Sequence, residues 1–324
     1  MELTAAVADH FNPNKDDNLY WSESSWFSWA IPERNICGLF YNHFRPNMNA
    51  FLGGPAMWDN SGHYVWDMLY YDWQGMRPLP EGEWGRDYDK YNFMTPFGMG
   101  IHTIEPMRKF HLLYDRNGFS LDLVYEALSA PNTIGAQAAG GFDQAYRLHF
   151  EQPGRIRGTV ELDGETMAVD CFAIRDGSHG RRHLDKVTAG GYTWSTADEQ
   201  TGFHIMAADL DNNRENTAAG GYILRDGIIS PLTHGIRRVV ERDGPRPITV
   251  EVDLTDELGR TMQAVGRETN WAEFTLFGDH GQYWSLFEWD YDGKTGVIGE
   301  DQEYKCLDEW RRWHRAGPET WAKR

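Results

Sequence analysis

Apolar and polar residues alternate along much of this chain with a period of two. Phe119, Leu121, Leu123 and Tyr125 alternate with Ser120 and Asp122, and Ile248, Val250, Val252 and Leu254 with Thr249, Glu251 and Asp253. Successive strand side chains point to opposite sides, so such runs predict strands with one buried and one wet face. Between the runs stand Asn117-Gly118, Asp163-Gly164, Asp226-Gly227, Asp243-Gly244 and Asp292-Gly293. These pairs supply the positive φ that tight hairpin turns need. Asp59-Asn60-Ser61-Gly62 is a longer version. Residues 156–162 and 165–174 are predicted to form one hairpin. Helical spacing is confined to residues 307–315, which Gly317-Pro318 ends. Helices do not alternate with strands, so a parallel α/β fold has no support. The predicted fold class is all-β and antiparallel, in two consecutive barrel- or sandwich-like domains with a short C-terminal helix.

About eight strand-like runs precede residue 130, enough to close a small barrel. Residues 130–141 are small, Gly-rich and poor in charge, which reads as a connection. The joint is expected near 130–142, giving domains 1–135 and 136–324.

Composition narrows the function classes. A chain of 324 residues with 14 Trp, 15 Tyr and 16 Phe can fill thick β cores or line a pocket for an apolar ligand. Its net charge of −18 repels phosphate backbones and argues against a nucleic-acid partner; solubility is its ordinary meaning. Cys37, Cys171 and Cys306 are too few and too irregular for a disulfide framework, so a reducing compartment is expected. The first ten residues lack the features of a signal peptide, and no segment approaches the ~20 apolar residues of a membrane span. The expectation is a cytoplasmic protein without a membrane span, with a homodimer compatible with the sequence.

No dinucleotide fingerprint, phosphate loop, Cys-x-x-Cys or His-Glu-x-x-His is found, and neither an organic cofactor nor a metal is expected. His179 and His183 are four apart, but Gly180-Arg181-Arg182 between them and the β context argue against a helical ligand pair. On a strand Arg147, His149 and Glu151 share one face, and Tyr146, Leu148 and Phe150 the other. Turned inward, the first face is an acid/base pair with shifted pKa values; turned outward, it is a solvated edge. The run Ile174-Arg175-Asp176-Gly177-Ser178-His179-Gly180-Arg181-Arg182 reads as a sharp bend after a strand. It is either an Arg–Asp lock or a catalytic loop with Asp176 or His179 as acid/base. Near the N-terminus Trp21, Glu23 and Ser25 share one face, and Ser24, Trp26 and Ser28 the other. A carboxyl such as Glu23 among indoles would have a raised pKa; core packing with an exposed Glu is the alternative. Residues 64–73 and 284–290 repeat the aromatic-plus-carboxylate theme.

These residues also resemble a known group. His149-Phe150-Glu151-Gln152, Gly154-Arg155-Ile156-Arg157-Gly158, Leu162-Asp163-Gly164-Glu165 and Arg175-Asp176-Gly177-Ser178-His179-Gly180-x-Arg182 follow in order. The run is similar to the His-Tyr-Glu-Gln … Asp-Gly-Glu … Arg-Asp-x-Ser-Trp-Gly-x-Arg pattern of the hydroxyneurosporene-synthase-like (carotenoid-hydratase-like) two-domain lipocalin superfamily. Glu23-Ser24 with the aromatics after it, and Trp284, Glu288-Trp289 and Gly299-Glu300, resemble that group's ends. The resemblance implies two lipocalin-like (calycin) β domains and no required organic cofactor. Its members hydrate or dehydrate isoprenoids, and distant relatives close rings pericyclically or have no assigned activity. His179 stands where the group has Trp, and Gly177 follows Asp176, so a titratable group replaces an indole.

The expected function is a cofactor-independent acid/base enzyme, a hydratase/dehydratase, lyase or isomerase. Its partner would be a hydrophobic small molecule such as a terpenoid, steroid or aromatic catabolite. Asp176, His179, Glu23, His149 and Glu151 are the candidate acids and bases. Trp26, Tyr64, Trp66, Tyr146, Arg175 and Trp284 are the candidate binding residues. A carrier of lipid or pigment, and a carbohydrate-active β protein, are the alternatives.

Overall fold

A computed structural model describes residues 3–12, 16–79, 89–134, 146–182, 189–208, 215–276 and 280–317. The expected connection after residue 134 and His183 lie outside the described residues. The chain divides into two units, Met1–Met57 with Leu69–Thr133 and Gln144–His183, and Trp58–Met68 with Ile134–Asp143 and Leu184–Arg324.

The first unit is an antiparallel sheet. At its centre lie β1 (Ser22–Ile31), β2 (Ile36–Arg45), β9 (Phe119–Ala127), β11 (Leu148–Leu162) and β12 (Glu165–Gly180), hydrogen-bonded in the order β2-β1-β12-β11-β9. Beyond β2 come β3 (Ala50–Trp58) and β4 (Tyr70–Tyr71); β5 (Gln74–Pro78) also pairs with β3. Beyond β9 come β8 (Lys109–Arg116), β7 (Met99–Glu105) and β6 (Phe93–Met94), and β10 (Asn132–Ile134) pairs with β11. Before β1 lies a single helical turn, α1 (Ala5–Ala8).

The predicted hairpin is β11–β12, with Leu162 opposite Glu165 across a turn in which Asp163 and Gly164 have φ 50° and 87°. Asn117-Gly118, Asp226-Gly227 and Asp292-Gly293 likewise have both residues at positive φ, whereas at 243–244 only Gly244 does. Three expectations change. The strands before residue 130 do not close a barrel by themselves: they form two groups, β4-β3-β2-β1 and β9-β8-β7-β6, which the later hairpin bridges by pairing β12 with β1 and β11 with β9. Accordingly β11 and β12 fall in the first unit, whereas the expected joint assigned them to the second domain. And the run 174–180, read as a bend, is regular strand to Gly180.

The whole of β1 is buried on both faces, which is why it shows no polar–apolar alternation. One face meets an aromatic core of Phe27, Tyr91, Phe110 and Tyr125. Gly177 of β12 makes room for it, because a Cβ there would stand 2.3 Å from Phe150 Cζ. Gly177→Val is expected to lower stability by about 1–3 kcal/mol through overpacking, measured by urea unfolding.

The second unit is a closed meander of eight strands: β13 (Ala189–Asp198), β14 (Thr201–Ala208), β15 (Glu215–Arg225), β16 (Ile228–Asp243), β17 (Arg246–Asp256), β18 (Thr261–Leu276), β19 (His280–Tyr291) and β20 (Lys294–Cys306). Phe203, Ile223, Val250, Val252, Phe287 and Trp289 form one buried apolar cluster on its inward face, which also carries the buried Arg237, Asp301 and Glu303. The predicted C-terminal helix is α2 (Leu307–Ala316), whose Trp310 and Trp313 are buried beside Tyr283. No helix among the described residues is long and apolar enough to cross a membrane.

Candidate functional site

Alternation and register sort the first unit's candidate residues onto two faces of one sheet. Glu151 lies opposite Asp176, and His149 opposite Ser178, on the β11–β12 pair. Ser24 lies opposite Ser178, and Trp26 opposite Asp176, on β1. On β2, His43 and Tyr41 continue the row. Directly opposed residues share a face. This face therefore carries Asp176, Ser178, His149, Glu151, Ser24, Trp26, Tyr41 and His43.

The polar members of this face are tightly connected. His149 Nε2 and Glu151 Oε1 are 2.5 Å apart, and both side chains are buried. Donor atoms of His149, Glu151 and Asp176 all lie within 4.8 Å of one another. Asp176 is the half-buried member; its Oδ1 and His149 Nδ1 have no hydrogen-bond partner among the described residues. Arg182 donates from Nη2 to Ser178 Oγ at 2.6 Å and Ser24 Oγ at 2.8 Å, and from Nη1 to Tyr146 OH at 2.9 Å. The Tyr146 ring stands between charges and imidazole, 4.4 Å from Arg182 Cζ and 4.7 Å from the His149 ring. Tyr41 OH and His43 Nδ1 are 3.0 Å apart.

Burial drives the titration of this set. It pushes the Asp176 carboxyl up to about 7, with Glu151 adding to the rise while His149, Arg182 and Lys90 oppose it. It pulls His149 down to about 4, helped by Arg182 and Lys90 and opposed by Asp176. His43 falls well below its ordinary value for the same first reason. Groups this close titrate together. At neutral pH the site therefore holds a neutral imidazole beside a carboxyl poised between its two forms. With Glu151 ionised, His149 must donate its Nε2–H to it, leaving the Nδ1 lone pair as a base. The same three residues could also ligate a metal ion, but the charges of Arg182 and Lys90, both felt by His149 and Asp176, disfavour a dication there.

The opposite face carries Glu23, His179 and Arg175, which were expected beside Asp176. Glu23 accepts from Trp21 Nε1 at 3.1 Å and the Asn12 backbone N–H at 2.9 Å, and pairs with Lys90 Nζ at 3.6 Å. Burial raises the Glu23 pKa, as expected for a carboxyl among indoles. His179 Nε2 bonds Asn12 Nδ2 at 2.8 Å, its ring stacks 5.9 Å from Trp21, and burial lowers its pKa to about 3. Arg175 is fully buried, donating to Gln152 Oε1 at 2.5 Å and Asp9 Oδ1 at 3.4 Å, with Phe110 4.3 Å from its Cζ. It is an Arg–Asp lock, but with Asp9 rather than Asp176.

Arg147 does not join the His149 face as expected; it is exposed and precedes β11. Tyr64, Trp66 and Trp284 belong to the second unit. Tyr64 stacks on Trp66, which is 77% exposed, and Trp284 is buried and donates to Glu300 at 2.7 Å. Of the candidate binding residues, Trp26 lies on the Asp176 face. Tyr146, expected on the face opposite His149, instead precedes β11 and packs its ring against His149.

Tyr41, His43, Ser24, Ser178 and Arg182 also belong to the site, and none of them stood among the candidate residues. For part of the site a signal existed. A two-residue turn at 163–164 fixes every pair in the hairpin, so counting outward puts 151 opposite 176. The count fails only if the strand stops at 174, where the two glycines were taken to end it.

Residues 6–300 match the family described as a domain of unknown function, DUF7064. The chain belongs to that family. Among curated proteins no sequence match is found. Three solved structures are similar over nearly their whole length. An AttH-type protein of Nitrosomonas europaea is 11% identical with a TM-score of 0.66, covering 94% of this chain and 98% of its own. Kievitone hydratase of Nectria haematococca is 11% identical with a TM-score of 0.54, covering 92% of each chain. CghA, solved with Sch210972, is 11% identical with a TM-score of 0.60, covering 94% and 96%. These likenesses carry, at the level of fold, the lipocalin-like architecture that the sequence resemblance implied.

Proposed function

We propose that this DUF7064 protein is a cofactor-independent acid/base enzyme that adds or removes water, or moves a double bond, in a hydrophobic small molecule. The observation that carries this reading is the cross-strand pairing of Asp176, with its unpartnered oxygen, to the buried His149–Glu151 dyad. Protonated Asp176 gives its proton to a carbon of the double bond. His149 Nδ1 takes a proton from the attacking water, and Glu151 holds the imidazole in the required tautomer. Opposed pKa shifts on adjacent groups are the usual mark of such a division of labour. The resemblance to the hydroxyneurosporene-synthase-like group, and the fold similarity to kievitone hydratase, favour a hydratase over other acid/base chemistry.

The test is incubation with a panel of apolar alkenes, unsaturated ketones and tertiary alcohols in ¹⁸O-water, read by mass spectrometry. Gain or loss of one water with label incorporation supports the reading; every compound recovered unchanged would leave a carrier instead. For the hydrating direction, kcat/KM should be bell-shaped in pH. His149 must be neutral, so the rate falls as pH drops through about 4. Asp176 must be protonated, so it also falls as pH rises through about 7. A rate that stays flat from pH 6 to pH 9 would remove Asp176 as the acid.

A further inference from the structure

Asp176 and His149 rise from one side of one sheet, and they do so at close quarters. On the β11–β12 pair Glu151 is opposite Asp176 and His149 is opposite Ser178, two positions along each strand, so acid and base are diagonal neighbours on a single wall. A carboxyl oxygen of Asp176 and a ring nitrogen of His149 lie within 4.8 Å of each other. Asp176 Oδ1 and His149 Nδ1 have no hydrogen-bond partner among the described residues, whereas His149 Nε2 is held by Glu151 Oε1 at 2.5 Å.

That separation decides which faces of a double bond the two groups can serve. For proton and water to arrive on opposite faces, acid and base must stand on either side of the substrate. Each then needs a hydrogen-bond reach of about 3 Å, and the base needs room for its water as well. Inverting glycosidases, which hold a proton donor and an activated water on opposite sides of the reacting group, keep their carboxyls roughly 6.5–9.5 Å apart for this reason. Within 4.8 Å no carbon skeleton fits between Asp176 and His149. The substrate has to lie over both groups, with one face of its double bond turned to the sheet.

We propose that this protein adds water syn, placing the new hydrogen and the new hydroxyl on the same face of the double bond. By microscopic reversibility, the alcohols it dehydrates are those whose hydroxyl and departing hydrogen are cis. The proposal rests on the acid/base reading above. The π pair takes the proton of Asp176 and forms the C–H bond at one carbon. A lone pair of the water on His149 forms the C–O bond at the other carbon, and a proton of that water passes to His149 Nδ1. His149 then releases a proton to solvent and Asp176 regains one, so that one water is consumed. The order of the two bond formations does not alter the outcome, because the activated water stands on the sheet side throughout.

The test is hydration in deuterium oxide of cyclohexenes carrying a methyl or phenyl group on the double bond, with the product's stereochemistry read by NMR. The ring prevents rotation about the reacting bond, so the deuterium records which face took the proton. The product with deuterium and hydroxyl cis is expected in roughly tenfold or greater excess over trans, a barrier difference of about 1.4 kcal/mol. The same label is read on the product of any other panel compound that is turned over. A smaller cis excess, or a trans product, would overturn the proposal; if turnover still depends on Asp176, the acid/base reading stands without it. No hydration of either cyclohexene or of any panel compound would remove the acid/base reading and the proposal together.

Discussion

Replacing Asp176 by asparagine is expected to cut kcat/KM by about 10²–10⁴-fold, the usual contribution of a positioned general acid. Its geometry should survive, because Asn is nearly isosteric and the side chain stays opposite Glu151 on the hairpin. Stability should move the other way. A carboxyl whose folded pKa is raised favours the folded state below its ordinary value, here 3.8, and that stability is lost as pH rises through about 7. Asparagine carries no charge to desolvate, so at pH 8 the variant should unfold no earlier than the parent. Loss of activity with retained or increased thermal stability is the pattern of a strained functional residue. An Asp176→Asn protein that keeps full turnover would exclude proton donation by Asp176; one that unfolds earlier at pH 8 would make the residue a structural one.

The second large effect lies in the barrel. Arg237 is fully buried; it donates from Nε to Asp301 Oδ1 at 2.8 Å, from Nη2 to Asp301 Oδ2 at 2.5 Å, and from Nη1 to Glu303 Oε2 at 3.4 Å. Gly191 makes this possible, since a Cβ there would stand 2.5 Å from Arg237 Cδ. Thr193 donates to Asp301, and Arg242 and Lys305 also reach Glu303. Arg237→Met leaves Asp301 buried without its bidentate partner, and removing one member of a buried pair costs about 3–5 kcal/mol. Chemical denaturation of the purified variant should show that loss. The pH dependence should change too. Burial alone would raise the Glu303 pKa, but Arg242, Lys305 and Arg237 together hold it near 2 against an ordinary 4.5. The stability this contributes is present above 4.5 and is lost as pH falls through about 2. Without Arg237 that loss should begin at higher pH. A variant with wild-type stability from pH 7 to pH 3 would show that Arg237 is dispensable.

How much of this was legible beforehand depended on whether the signal was local. Period-two runs at 119–125 and 248–254 became β9 and β17 because each has one solvent-facing side. Turn pairs such as Asp163-Gly164 worked because only a few residues tolerate positive φ, and their meaning does not depend on distant neighbours. His149 and Glu151 could be paired from spacing alone, since i and i+2 share a strand face. In contrast, β1 is buried on both sides and offers no alternation from which to read direction. His179 and Arg175 were grouped with Asp176 by nearness in sequence, and Glu23 by its chemistry alone. Adjacent strand positions point to opposite faces, so nearness was the wrong guide.

The sequence by itself determined the all-β class, the β11–β12 hairpin, the C-terminal helix and the His149–Glu151 pair, all products of local stereochemistry. Only the tertiary structure decided that residues 22–27 pair with 175–180, across about 150 residues of chain. It also decided that Asp9 locks Arg175, and that Arg182 turns back over Ser24 and Ser178. Those contacts depend on strand partners and loop paths chosen by the packing of the whole unit, and no short window of residues contains that choice.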